Sequence, residues 1–307
     1  MDVVSDAIST VRLGRPSSQR VRVAGRWCTR LAPYEGAGFH VVLEGSCWLL
    51  PDDGPAVSLG AGDAVLLPHG TGHVIADSPV DAAAVRRAVP FERWFDSGQP
   101  APRPGGGEVE VLCGKYRLDR RLAHPLLAEL PKVVHLPARV GSHPELRAAI
   151  DLLGRELEAQ RPGSLTAVPS LLDLLLVYLI RAWLAEGRAG AWPVVLADPV
   201  AAAALRALHG DPAATWTNDR LAAEAGVSRP TLARRFTVLV GRPPMAYLTW
   251  WRLTVAATLL RDTPMPLAAV ARQVGYASPY ALSHAFARQF GTSPGRYRAG
   301  PGDPPSG

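Results

Sequence analysis

Ser228-Arg-Pro-Thr-Leu-Ala-Arg-Arg-Phe236 and Ser278-Pro-Tyr-Ala-Leu-Ser-His-Ala-Phe286 are two renderings of one pattern, set fifty residues apart. Ser228 falls on Ser278, Leu232 on Leu282 and Phe236 on Phe286; further on, Gly241 falls on Gly291, Pro244 on Pro294 and Tyr247 on Tyr297. Upstream of the shared serine the offset is forty-nine, with Gly226 on Gly275. Identities at cap, turn and core positions in a single register mark two copies of one supersecondary unit. Each copy reads as helix, turn, helix. In the first, residues 218–225 form a short helix with Leu221, Ala222 and Ala225 inward, ended by Gly226. Ser228 caps the following helix, whose first turn tolerates Pro230, and Leu232, Phe236 and Leu239 hold it in place. In the second copy residues 266–274 support, Gly275 to Ser278 turn, and residues 279–290 send Leu282 and Phe286 inward. A long helix near 244–262 joins the copies.

Charge follows the repeat. Residues 200–300 hold twelve Arg, no Lys and four acids (Asp211, Asp219, Glu224, Asp262), a net of +8; the whole chain is +6, so the remainder sums to −2. A positive balance confined to one module is the electrostatic footprint of a nucleic-acid binder. The layout suits insertion of the second helix of each pair into a major groove of double-stranded DNA. Base edges are then within reach of Arg229, Thr231 and Arg234 in the first copy and of Tyr280, Ser283 and His284 in the second. Ser228 and Ser278 sit at the caps, beside the DNA. Arg235, Arg242, Arg288, Arg296 and Arg298 are placed for phosphates, which set register rather than specificity. Arg is the strongest single reader, bidentate to guanine.

The run from Val274 to Arg298 closely matches the signature of the AraC/XylS family, and residues 205–298 resemble that family's DNA-binding domain. The resemblance implies a helical domain that reads two adjacent major grooves and acts with RNA polymerase. Pro230 and Ala233 depart from the pattern, leaving Arg229 and Arg234 as the chief readers of the first copy.

The N-terminal part has a different texture. Short apolar runs (Val41 to Leu43, Cys47 to Leu50, Ala64 to Leu67, Val109 to Leu112) are punctuated by Gly, Pro and Asp, which predicts an antiparallel sandwich or barrel. Gly62, Pro68, Gly70 and His73 have the spacing of the second cupin motif, with Asp77 where Asn is usual. Gly38 to Gly45 resembles the first motif but lacks its histidine pair, and Gly38 stands at its Glu position. Residues 1–135 therefore resemble a cupin-like sensor, 136–190 a helical linking and dimerising region, and 198–300 the tandem helix-turn-helix domain. The fold class is α+β: a cupin-like β-barrel with flanking helices, then an all-α domain.

His40, Cys47, His73 and Cys113 lie on four predicted strands, and imidazole with thiolate suits a divalent metal such as zinc. The other readings are histidines and cysteines that merely fill the barrel, an organic effector, or a redox thiol among Cys28, Cys47 and Cys113, which needs exposure and a lowered pKa. His124 and His135 read as structural, within a connector packed by Leu126, Leu127 and Leu130.

Leu146, Ile150, Leu153 and Leu157 fall on one helical face, the expected contact of a homodimer. A second helix is expected over 168–186 and a linker over 187–199; residues 97–107 read as a loop and the tail from Gly300 as disordered. The most apolar run, Leu171 to Ile180, is half a membrane span, and no basic-then-apolar leader opens the chain, so a cytoplasmic protein is expected. The expected function is a transcription regulator responding to a small ligand or metal, and not an enzyme. The alternatives are a cupin-type metal enzyme with an appended DNA-binding domain and a constitutive regulator with a vestigial barrel.

Overall fold

The computed structural model describes residues 3–96, 107–187 and 191–299, so most of the 97–107 loop and the tail from Gly300 lie outside the described residues. Contacts divide the chain into two units that cut across sequence order: Arg12–Arg120 with Leu130–Arg188, and Met1–Val11 with Arg121–Glu129 and Ala189–Gly307. Residues 3–11 and 121–129 thus pack with the C-terminal helices, not with the barrel whose sequence surrounds them.

The first unit is built on ten strands among the described residues: β1 (Arg12–Ala24), β2 (Cys28–Leu31), β3 (Gly36–Glu44), β4 (Ser46–Pro51), β5 (Val57–Gly60), β6 (Ala64–Leu67), β7 (His73–Ala76), β8 (Val89–Pro90), β9 (Glu108–Leu118) and β10 (Val134–Leu136). They form two sheets, ordered β1-β9-β3-β6-β10 and β5-β4-β7-β2-β8. All pairings are antiparallel except β2 with β8. Side-chain alternation divides β3. Its His40 and Val42 turn between the sheets, where Val42 joins Cys47, Leu49, Leu59, Val65 and Ile75 in the barrel core.

Phe39 takes the other face and lies 5.7 Å, centroid to centroid, from Tyr116. The Tyr116 hydroxyl donates to Leu172 O at 2.6 Å, tying the sheet to the helices that cover it, α5 (Pro144–Ala159) and α6 (Ser164–Glu186). Two short helices, α2 (Ala82–Arg86) and α3 (Phe91–Asp96), follow β7 and β8. Leu146, Ile150 and Leu153 are all buried in this unit, at 5% exposure or less. The part of the stripe expected to face a partner subunit is therefore spent inside its own unit, largely against α6, because one apolar helical face can cover only one surface. By length and apolar content α6 could cross a membrane. Its Leu172, Leu175, Leu176, Leu179, Ile180, Ala182 and Trp183 are nonetheless buried, as in the core helix of a folded unit.

The second unit comprises α1 (Val3–Val11), α4 (Pro125–Ala128), α7 (Trp192–Ala197), α8 (Pro199–Gly210), α9 (Asn218–Glu224), α10 (Arg229–Val240), α11 (Pro244–Asp262), α12 (Leu267–Gln273), α13 (Pro279–Phe290) and α14 (Pro294–Ala299). The expected linker over 187–199 is largely helix: Trp192 and Val195 are buried, and Asp198 caps α8 by accepting from Val200 N and Ala201 N. Burying an indole outweighs the weak helix preference of so short a segment. α1, with Val3, Val4, Ala7, Ile8 and Val11 buried, lacks any turn signal and escapes a reading based on sequence alone.

Candidate nucleic-acid interface and barrel cavity

Both helix-turn-helix copies form from local chemistry. Ser228 Oγ accepts from Thr231 N at 3.4 Å and Ser278 Oγ from Ala281 N at 3.1 Å, satisfying helix-terminal donors that would otherwise lack partners. The turn glycines Gly226 and Gly275 take φ of 65° and 79°. At Gly275 a Cβ would also stand 2.8 Å from the Ala213 backbone, so glycine is required there twice over. Leu232 and Phe236 on α10, like Leu282 and Phe286 on α13, are fully buried. The opposite faces are open: Tyr280 is 82% exposed, and Arg229, Arg234 and His284 are exposed, with Thr231 and Ser283 half-buried.

The structure separates the arginines that sequence treats alike. Arg235 binds the cap residue Asp198, with Nε and Nη2 at 2.7 and 2.6 Å from Oδ2. Arg298 donates to Leu260 O at 3.3 Å and to Met265 O, closing the C-terminal end of α11. Arg242 lies over the Trp250 ring at 5.4 Å. These three hold the domain together, and the phosphate roles expected for them compete with internal partners. Arg229 has only an exposed pair with Asp219 at 3.6 Å, worth about 1 kcal/mol or less. The guanidinium groups of Arg234, Arg288 and Arg296 engage no hydrogen bond or ion pair among the described residues and are exposed, free for an outside anion or base.

In the barrel, His40 on β3 stands directly opposite Cys113 on β9, with Nδ1 3.0 Å from Sγ. Its Nε2 crosses to the other sheet and lies 2.8 Å from His73 Nε2, while His73 Nδ1 lies 2.8 Å from Thr71 O. A carbonyl can only accept, so His73 Nδ1 carries the hydrogen and its Nε2 is bare. His40 Nε2–H then donates to it, and the Cys113 thiol donates to His40 Nδ1. Every member is neutral: burial pushes His40 well below the ordinary 6.5, with His73 adding to the effect, and lowers His73 too. Burial raises all three thiols, Cys47 to about 12, the reverse of what a reactive sensor cysteine needs.

The four candidate ligands do not share a coordination point. Cys113 and His73 address opposite nitrogens of His40, and Cys47 sits in the apolar core. The His40–His73 contact is also tighter than the spacing of about 3.3 Å that bonds of about 2.0 Å set in a tetrahedral zinc shell. Among the described residues no group of three or more His, Cys, Asp or Glu converges on a metal position. As arranged, these residues do not fit a metal.

Three of them, His40, His73 and Cys113, do line a cavity of about 390 Å³, shared with Ser18, Tyr34 and Lys115. Gly70, at φ +58°, lets the Tyr34 backbone pass close by, with Tyr34 N donating to Gly70 O at 3.1 Å. The Ser18 Oγ and Tyr34 Oη atoms are shielded from solvent without a hydrogen-bond partner among the described residues. Neither residue carries a motif, so neither was visible in the sequence; His124 was visible only as a connector residue.

The sequence pattern of the Cupin family matches residues 2–185, and that of a helix-turn-helix domain matches residues 221–300. An AraC-like transcription regulator of Streptomyces antibioticus is 35% identical over 98% of this chain and 99% of its own length. One of Streptomyces lividans is 36% identical with the same coverage. Among solved structures, the DNA-binding domain of AdpA in complex with a target DNA is 38% identical, covering 33% of this chain and 91% of that domain, with a TM-score of 0.32.

Proposed function

The chain belongs to the AraC-like transcription regulators, and from that premise we propose that its barrel is a sensor whose cavity takes a small, uncharged organic effector. The observation that carries the reading is the cavity itself. At about 390 Å³ it falls in the range of roughly 300–1,000 Å³ typical of small-molecule sites. It offers two hydroxyls with no partner among the described residues, and a buried polar atom left unpaired costs about 1–3 kcal/mol; a ligand carbonyl or hydroxyl would remove that cost. The histidine–cysteine floor is neutral, and the two charged residues at the cavity, Lys115 and Glu92, are opposite in sign and leave no net charge for an ionic ligand to balance. Cys113, Gly114 and Lys115 on β9, and Ser17, Ser18 and Gln19 on β1, line the cavity, so an occupant touches both long strands of one sheet. The base readers in this proposal are Arg229, Thr231 and Arg234 with Tyr280, Ser283 and His284, and the phosphate contacts are Arg288 and Arg296.

Genome-wide mapping of bound DNA would supply the operator and a reporter. Ser18→Phe, which fills the cavity, should leave operator binding in place and abolish the reporter's response to growth conditions. A Ser18→Phe chain that responds like its parent would overturn the effector reading and leave a constitutive regulator. Element analysis of the purified protein decides the metal question separately, since a stoichiometric metal would require the floor to open.

A further inference from the structure

Four residues distant in sequence meet in the core of the helical unit. His124, His209 and Tyr247 are all fully buried. Leu126 N donates to His124 Nδ1 at 3.1 Å, so that nitrogen bears no hydrogen and His124 Nε2 donates to Tyr247 Oη at 2.9 Å. The Tyr247 hydroxyl passes its own proton to His209 Nε2 at 2.8 Å, and His209 Nδ1 donates to Asp6 Oδ2 at 2.9 Å. One set of tautomers satisfies every donor and acceptor along the chain.

Tyr247 is one of the six landmarks shared by the two helix-turn-helix copies, and its counterpart is Tyr297. Each tyrosine is wedged against the recognition helix of its own copy. Tyr247 meets Phe236 of α10 at 5.7 Å and 78°, and Tyr297 meets Phe286 of α13 at 5.3 Å and 79°. The segment Arg121–Glu129 reaches both. His124 bonds the first tyrosine, and the Arg121 guanidinium lies 5.2 Å from the ring centroid of the second. Leu122 and Leu126, completely buried, root the segment between these two contacts, and Glu129 accepts from Ala191 N at 2.9 Å.

We propose that Arg121–Glu129 is a positioning strap for DNA reading: by holding the equivalent tyrosine of both copies, it sets the separation at which the two recognition helices present themselves to the duplex. A single helix, α11, is the covalent link between the copies, and one helix alone leaves them free to pivot about its two ends. A second tie, attached at matching points, removes that freedom. Preorganisation of this kind acts on specificity, because a rigid pair of readers rejects a site whose boxes are wrongly spaced. The strap begins three residues after β9 ends at Leu118. The strap acts on the helical unit whether or not the barrel binds an effector.

The test uses the full-length chain and a duplex selected by it from random DNA, together with versions carrying one base pair more or fewer between the two contacted boxes. The parent chain should discriminate strongly between the three duplexes. Arg121→Ala changes only an exposed residue and should erode that discrimination about two- to fivefold. Arg121→Lys, which keeps a cation over the ring, should restore it. Tyr247→Phe keeps the ring but breaks the relay, and should erode discrimination about tenfold. A uniform loss on all three duplexes, or unchanged spacing preference in Arg121→Ala, would overturn the proposal in favour of a purely structural role. Should Tyr247→Phe fail to fold, Arg121→Ala decides alone.

Discussion

The two helix-turn-helix copies share caps, turn glycines, core phenylalanines and tyrosines, yet they are held by opposite means. In the first copy Tyr247 is completely buried and its hydroxyl is committed to two histidines. In the second, Tyr297 is half-buried and rests among rings, 5.3 Å from Phe286 and 5.7 Å from Phe290. The surfaces diverge too: the first copy offers Arg229 and Arg234, the second Tyr280 and His284. A duplicated scaffold has kept the residues that make it fold and changed those that face outward or dock it to the rest of the unit. Local chemistry is conserved between the copies, whereas context is not.

The largest effects should come from what the copies have in common. Phe236→Ala and Phe286→Ala should each cost about 3–5 kcal/mol by chemical denaturation, the usual range for a buried ring. Hydrogen exchange would sharpen the comparison: loss of Phe236 should expose amides in α1 and α4 as well as α10, through Tyr247 and the relay. Loss of Phe286 should reach α12, α13, α14 and, through Tyr297, the Arg121 end of the strap, but not α1. Equal spread from both variants would break the contrast.

Base reading comes next. Arg234→Ala should cost about 1–3 kcal/mol on the operator and little on random DNA; equal losses on both would reassign it to phosphate. Arg296→Ala should weaken every sequence alike and reduce the salt slope by about one unit.

The relay makes the first copy the acid-sensitive one. Burial holds His124 neutral well below the ordinary 6.5, and His209 and Arg242 add to the effect. The unfolded chain therefore takes up a proton near 6.5 that the folded chain refuses. Stability should fall as pH drops below that value, by up to about 1.4 kcal/mol per pH unit for this residue. His124 itself meets the Tyr247 hydroxyl and the Leu126 amide, and the Asp6 carboxylate faces His209 instead. Amide protection in α10 should decline before that in α13 between pH 6.5 and 5, and simultaneous decline would contradict this assignment. The smallest effects should be the caps: Ser228→Ala and Ser278→Ala should each cost about 1 kcal/mol, with the longer 3.4 Å bond of Ser228 the cheaper to lose.

Most of the helical unit could be read from the chain because its signals lie within a few residues of their effects. The caps, Gly226 and Gly275, and the spacing of Leu232 and Phe236 act on the turn or helix that contains them, and the bounds of α11 and α13 followed directly. The barrel was less legible. β1 pairs with β9 through contacts such as Gln19 with Cys113, ninety-four residues apart, and no local pattern announces such a partner. Sequence singled out His40 and His73 as candidate partners on separate strands, and they do meet inside the barrel. It could not say that His40 would turn its two nitrogens to different neighbours, which is a matter of ring orientation.

By itself, then, the sequence determined that two like helical units exist, which exposed faces they offer, and that a basic DNA-binding module follows a cupin-like barrel. Tertiary structure alone decided which arginines are free, since Arg235 and Arg298 find partners on other helices. It also decided that residues 6 and 124, written beside the barrel, belong to the core of the DNA-binding unit. The physical reason is range: capping and turn chemistry are settled by neighbours along the chain, whereas a buried polar group takes whatever partner folding brings within 3 Å, and here His124 found Tyr247.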